Sequence, residues 1–187
     1  MNFIEYIQSE AGLTEWSLEQ FKAIIKRKTY AKRDLILPSD NRSKQIYFIE
    51  EGAARVFYLR PAKEVTLYFL NENKIGLPVD SIFYDEICKF GIEALTETKA
   101  AIIHYPQWDA IMKRDPALQR LSFRLMVDYI KKANDRLYNL KFQTPLDRYR
   151  ALLAEFPSLE QHAPLGHIAS YLGITQETLS RLRAMRI

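Results

Sequence analysis

Cysteine is almost absent: Cys88 stands alone among 187 residues. A single thiol excludes an internal disulfide, a Cys-rich zinc site and a four-Cys iron–sulfur cluster. Long apolar runs are missing as well, since no uninterrupted stretch exceeds four apolar residues. No segment therefore reads as a helix that spans a bilayer. Six glycines and eight prolines are too few for a fibrous or low-complexity chain. The glycines form neither G-x-G-x-x-G nor a phosphate-binding loop, and G-x-S-x-G and H-E-x-x-H do not occur. Those absences argue against an enzyme of the common nucleotide-binding or hydrolase kinds. The opening MNFIEYIQSEAG places Glu5 where a secretory signal needs basic and then apolar residues. The expected location is the cytoplasm, with no membrane partner.

What is present is apolar, aromatic and unevenly charged. An apolar share of 48%, with 10 Phe, 11 Tyr and 2 Trp, is enough to build a core and too much for disorder. The net charge is +4, yet residues 120–187 hold 11 basic and 6 acidic side chains, a net of +5. The remainder holds 16 and 17, a net of −1. The positive excess lies wholly in the last third and points to a polyanion partner there.

The pattern divides the chain into an N-terminal part, 1–110, a helical connector, 111–142, and a C-terminal part, 143–187. Residues 1–28 read as helical, with Leu18, Phe21, Ile24 and Ile25 at helical spacing after the potential caps Thr14 and Ser17. QIYFIE, AARVFYL and EVTLYFL are short β-branched or aromatic segments, separated by Glu51-Gly52 and by the 60–63 turn. After an irregular stretch over 71–91, two more strands are expected near Ile92–Leu95 and Lys99–Tyr105. Many short strands closing on each other predict a barrel or jelly roll. Pro106 opens a helical region, and Pro116 starts a helix predicted to reach Phe142. Its apolar stripe holds Leu118, Leu121, Leu125, Tyr129, Ile130, Ala133, Leu137 and Leu140. Pattern alone leaves open whether this helix lies against the barrel or packs on its twin. Thr144-Pro145 then starts a further helix that ends before Pro157.

Residues 165–187 read LGHIASYLGITQETLSRLRAMRI. A helix-turn-helix needs a small residue where its helices cross, a turn residue able to take positive φ, and aliphatic residues locking the pair. Counting from Leu165, Ala169 is fifth, Gly173 ninth and Leu179 fifteenth, while Ile168, Leu172, Ile174 and Leu182 fill the other apolar places. Thr175 can cap the second helix, and Glu177 suits its first turn. Thr175, Gln176, Glu177, Thr178, Ser180, Arg181, Arg183 and Arg186 are the candidate DNA contacts. Gln matches adenine and Arg matches guanine or phosphate.

At this point the whole chain resembles the Crp/Fnr family of transcription regulators. The likeness rests on QIYFIEEGAARVF around Gly52, on EALTETKAAIIHYPQWDAIMKRDP, and on IASYLGITQETLSRLR. It implies an α+β fold: a cyclic-nucleotide-binding-like double-stranded β-helix or jelly roll, a long dimerisation helix, and a C-terminal helix-turn-helix. Leu118, Leu121, Leu125, Tyr129, Ala133 and Leu137 become candidate dimer contacts. Implied partners are a pseudo-palindromic DNA operator, a second copy of the chain, RNA polymerase and an unidentified small-molecule effector. Glu177, Thr178 and Arg181 match the family's recognition-helix pattern, whereas Gln176 stands where an Arg is common. The effector pocket departs further. Nucleotide-binding members use a Gly-Glu pair for the ribose and an Arg followed by a small residue for the phosphate. Here Gly76 is followed by Leu77, and Cys88-Lys89 stands in place of the Arg pair, so the pocket reads as degenerate.

No cofactor or metal is expected. His162 and His167 with Glu155 and Glu160 lack a third ligand at a convincing spacing, and His104 reads as strand packing rather than a haem ligand beside Cys88. Two function classes remain: a dimeric DNA-binding regulator, and a ligand- or protein-binding β-roll whose terminal helices only pack.

Overall fold

The computed structural model describes residues 1–61 and 63–184. Two short helices come first, α1 (Phe3–Ala11) and α2 (Glu15–Ile24), with Asn2 and Thr14 as side-chain N-caps. Strands follow as β1 (Lys26–Tyr30), β2 (Leu35–Leu37), β3 (Gln45–Glu51), β4 (Ala54–Arg60), β5 (Lys63–Leu70) and β6 (Ile75–Gly76). The one-turn helix α3 (Val79–Phe83) precedes β7 (Phe90–Ala94) and β8 (Thr98–His104). The helices α4 (Tyr105–Met112), α5 (Pro116–Phe142), α6 (Pro145–Glu155), α7 (Leu159–His162), α8 (Leu165–Leu172) and α9 (Gln176–Ala184) complete the described chain.

The strands form two antiparallel four-stranded sheets, in the orders β1-β8-β3-β6 and β2-β7-β4-β5. Side chains alternate across a strand, so one sheet can bury both faces if both are apolar. The QIYFIE segment does this. Tyr47 and Ile49 point between the sheets, onto Val56, Ile92 and Ala94. Ile46 and Phe48 point outward, where Phe3, Ile7, Phe21, Trp108 and Leu118 cover them. A third core joins Phe69 and Leu95 of the roll to Tyr149, Leu152, Ile168, Leu172 and Leu179 of the C-terminal helices. Gly52, in the β3–β4 turn, has φ +89°, and a Cβ there would overlap the Glu97 carbonyl. Only glycine fits this close hairpin-to-hairpin approach.

Two expectations are corrected. The N-terminal helical region stops at Ile24, because Lys26–Tyr30 pairs along β8 from Lys26↔Ile102 to Tyr30↔Thr98. Ladder formation with a distant strand outweighs the local pattern. Ser17 is not a cap either: its buried hydroxyl donates to Asp115 Oδ2 at 2.5 Å, fixing α2 to the start of α5.

Candidate nucleic-acid interface

Helix α8 ends at Gly173, whose left-handed backbone (φ +69°) turns the chain and lets its N–H return to the Ala169 and Ser170 carbonyls. The Ile174 N–H also donates to the Ala169 carbonyl. Thr175 Oγ1 accepts from the Thr178 N–H at 3.2 Å, the expected cap of α9. Its hydroxyl and the helix N-terminus hold the Glu177 carboxyl below its ordinary range. Ile168, Ala169, Leu172 and Leu179 are buried between α8, α9 and α6. Thr175, Gln176, Glu177, Ser180 and Arg181 are exposed on the outer side, with Thr178 half-buried beside them.

The cationic excess of the last third is partly engaged within the chain. Arg136 stacks 3.9 Å from the Tyr171 ring centroid and donates to the Tyr171 carbonyl, while Arg148 donates to the carbonyls of Gln143 and Leu172. Both satisfy the last carbonyls of α8. Arg183 lies 2.9 Å from a Glu160 carboxylate oxygen, an ion pair that ties α9 to α7 while the Arg183 side chain stays 44% exposed. Arg186 lies outside the described residues.

Helix α5 carries two apolar faces that the sequence pattern merges. Leu118 and Leu121 are buried under the N-terminal helices, and Leu125 packs beside them. Tyr129 turns to the roll, its ring 6.4 Å from that of Tyr68. Leu118 and Leu121 are therefore corrected from dimer contacts to packing within this chain, Leu125 is partly buried, and Tyr129 stays 49% exposed. An adjoining face exposes Phe123, Met126, Ile130, Ala133, Leu137 and Leu140, alternating three and four residues apart. That is an unbroken a/d seam. Phe123 is 72% exposed and Leu137 54%, so this chain leaves the seam uncovered. Phe123 and Met126 were missed because the merged stripe starts at Leu118 and puts them off register.

No family model matches the chain. The fumarate and nitrate reduction regulatory protein of Vibrio cholerae and the regulatory protein HlyX of Actinobacillus pleuropneumoniae are each 26% identical to it over 91% of its length, covering 72% and 75% of theirs. A Crp/Fnr-family regulator structure from Eubacterium rectale superposes with a TM-score of 0.74 at 19% identity, over 97% of this chain and 87% of its own. FixK2 of Bradyrhizobium japonicum gives 0.73 at 19% identity, over 87% and 84%. The chain has the fold of these Crp/Fnr-family structures.

The four residues expected to mark a degenerate effector pocket, Gly76, Leu77, Cys88 and Lys89, lie in different surroundings. Gly76 is buried, and a Cβ on it would come 2.6 Å from Ile92 Cδ1. Leu77 packs outward against the core under α1 and α2. Cys88 is buried in the inner core, its thiol 3.5 Å from the Phe90 carbonyl and pushed up to about 11 by burial. Lys89, the next residue, is exposed. Tyr58, Tyr68 and Phe90 pack around that core. Burial, and then the hydrogen-bonded Tyr129 hydroxyl, push the Tyr68 phenol far above its usual range.

The histidine–carboxylate grouping weighed from sequence is not assembled. Glu155 lies 4.0 Å from Lys132, and Glu160 receives Tyr149 and Arg183. His167 instead turns to Glu64 and Glu93, two residues that its place in the sequence does not suggest.

Proposed function

We propose that this protein is a dimeric, sequence-specific DNA-binding transcription regulator whose roll does not take a cyclic nucleotide. The observation that carries the reading is the pairing of two exposed features on one chain: the outer side of a capped α9, and an uncovered heptad seam on α5. Two such seams packed together present two α9 helices, and half-sites one helical turn apart, about 34 Å, accept them. The parts are the roll (1–110), the dimer helix (111–142) and the DNA-binding unit (143–187). Contact with RNA polymerase, an effector other than a cyclic nucleotide and a cytoplasmic site of action belong to the same reading. Among the described residues no helix is long and apolar enough to cross a membrane.

Genome-wide footprinting of the tagged protein tests it, with a recurrent pseudo-palindrome at that spacing as the expected result. Random, salt-sensitive occupancy would leave the protein-binding roll as the better account.

Arg181 is exposed in the middle of α9 and is the base reader of this proposal. Arg181→Ala is expected to cost about 1–3 kcal/mol on the cognate site and to relax preference at one base pair. Competition gel shifts over a panel of single-base operator variants measure this. Equal weakening on every variant assigns Arg181 to phosphate instead.

Cyclic AMP and cyclic GMP are expected not to bind. Their phosphate requires a paired donor in a partly dry site, and Cys88 offers only a neutral thiol while Lys89 faces solvent. Calorimetric titration to about 1 mM, where binding of even −4 kcal/mol is visible, is expected to show no saturable heat. One-to-one micromolar binding overturns this part of the reading.

A further inference from the structure

Helix α8 docks on the roll. The Thr66 backbone N–H donates to Ser170 Oγ at 3.0 Å, and the Phe69 and Tyr171 rings lie 5.3 Å apart. Where α8 crosses the β5 and β7 strands, His167 meets Glu64 and Glu93, with one ligand atom from each within 4.8 Å of the others. Arg55, only 2% exposed, reaches both carboxylates: its Nε lies 2.5 Å from Glu93 Oε2 and its Nη2 bonds Glu64 Oε2. Its Nη1 reaches Thr66 Oγ1 at 3.3 Å, and its guanidinium stacks on Phe57 at 4.5 Å. The guanidinium is thus held on both sides. Arg55 bonds one oxygen of each carboxylate, and Lys32 and Arg33 line the cleft beside Glu93. His167 Nδ1 is buried and has no hydrogen-bond partner.

We propose that Glu64, Glu93 and His167 form a divalent-metal site that pins the first helix of the DNA-binding unit to the roll. An imidazole with two carboxylates suits zinc, nickel or iron(II), whereas magnesium and calcium favour all-oxygen sets. Metal–ligand bonds of about 2.0–2.2 Å are reached by small side-chain rotations from the present spacing. Arg55 orients the two carboxylates through one oxygen each, the role outer hydrogen-bond partners play in metal sites. A cleft of about 270 Å³ lined by Lys32, Arg33, Glu93, Gln161, His162 and His167 opens the site to solvent. The nearby Arg55 and Arg33 charges oppose a cation and place its affinity in the micromolar range rather than lower.

The trio is contributed by β5, β7 and α8, so the metal would bridge sensor roll and helix-turn-helix. A change of DNA affinity with metal rests on the regulator reading; metal binding itself does not, and the test uses no DNA. Chelator-treated full-length protein is titrated calorimetrically with Zn²⁺. One equivalent per chain is expected, and His167→Ala and Glu64→Gln are each expected to weaken it at least about tenfold. Removing His167 Nδ1 leaves no partner orphaned, and unchanged circular dichroism verifies the fold of each variant. His162→Ala, which touches the cleft but not the trio, is expected to bind as the parent does. The proposal is overturned by absence of saturable heat up to about 1 mM Zn²⁺, by equal affinity in parent and both trio variants, or by loss of binding in His162→Ala.

Discussion

Replacing Ile130 and Leu137 together by glutamate is expected to give monomers in sedimentation velocity and to abolish tight operator binding. Both side chains lie on the uncovered seam of α5 and are 53% and 54% exposed. In a paired seam they occupy equivalent core positions one heptad apart, where two carboxylates per chain meet their symmetry mates in a drying interface. Uncoupling the two half-site contacts removes the gain in effective concentration, so specific affinity should fall at least about 100-fold. The fold of each chain should survive, because neither residue contributes to its own core. Leu125 is the wrong choice for this experiment, since it packs against the N-terminal helices and its replacement damages the monomer. A double variant that still sediments as a dimer and retains operator affinity removes the α5 seam from the interface.

The largest expected loss of stability comes from Asp115. This buried carboxylate caps α5 by accepting from the Ala117 and Leu118 N–H groups at 2.9 and 3.3 Å. Its other oxygen accepts from the Ser17 hydroxyl at 2.5 Å, the Thr14 hydroxyl at 3.1 Å and the Thr14 N–H at 3.3 Å. Burial opposes ionisation here, but the hydrogen bonds from Ser17, Thr14, Ala117 and Leu118 outweigh it and hold the carboxyl below its ordinary range. Asp115→Ala loses a cap and leaves several donors unpaired, for a cost of about 3 kcal/mol or more. For a chain of this size that corresponds to a fall in Tm of about 6–12 °C in calorimetry. The sign with pH follows from the depressed pKa. The ionised carboxyl stabilises the fold above the ordinary Asp value, and that contribution drains away as pH falls through the lower folded value. The parent should therefore lose stability more steeply than Asp115→Asn on acidification below about pH 4. A shift in Tm under about 2 °C for the alanine variant would show that α2 and α5 are held mainly by their apolar contacts.

Much of the chain was legible because the deciding contacts are local. Pro116 and Thr144-Pro145 mark the starts of α5 and α6, since a proline and a cap act within one turn. The helix-turn-helix could be read from 23 residues because its lock, Ala169, Gly173, Thr175 and Leu179, lies within about three turns of helix. The strands of the roll were visible from composition and turns, and the loss of the nucleotide contacts from Leu77 and Cys88.

Long-range pairing decided the rest. Lys26–Tyr30 continues a helical pattern, and only the ladder with β8 makes it a strand. Periodicity shows that α5 is apolar on more than one side but not which side meets its own chain. Tyr129 and Leu125 look like Ala133 and Leu137 until the roll and the N-terminal helices are in place. Regional charge could not reveal that Arg136, Arg148 and Arg183 close helix ends and ion pairs inside the chain, because a charge count carries no direction. His167 meets Glu64 and Glu93 across 103 and 74 residues of sequence. No spacing rule spans such distances, and only packing of α8 on the roll brings these three side chains together.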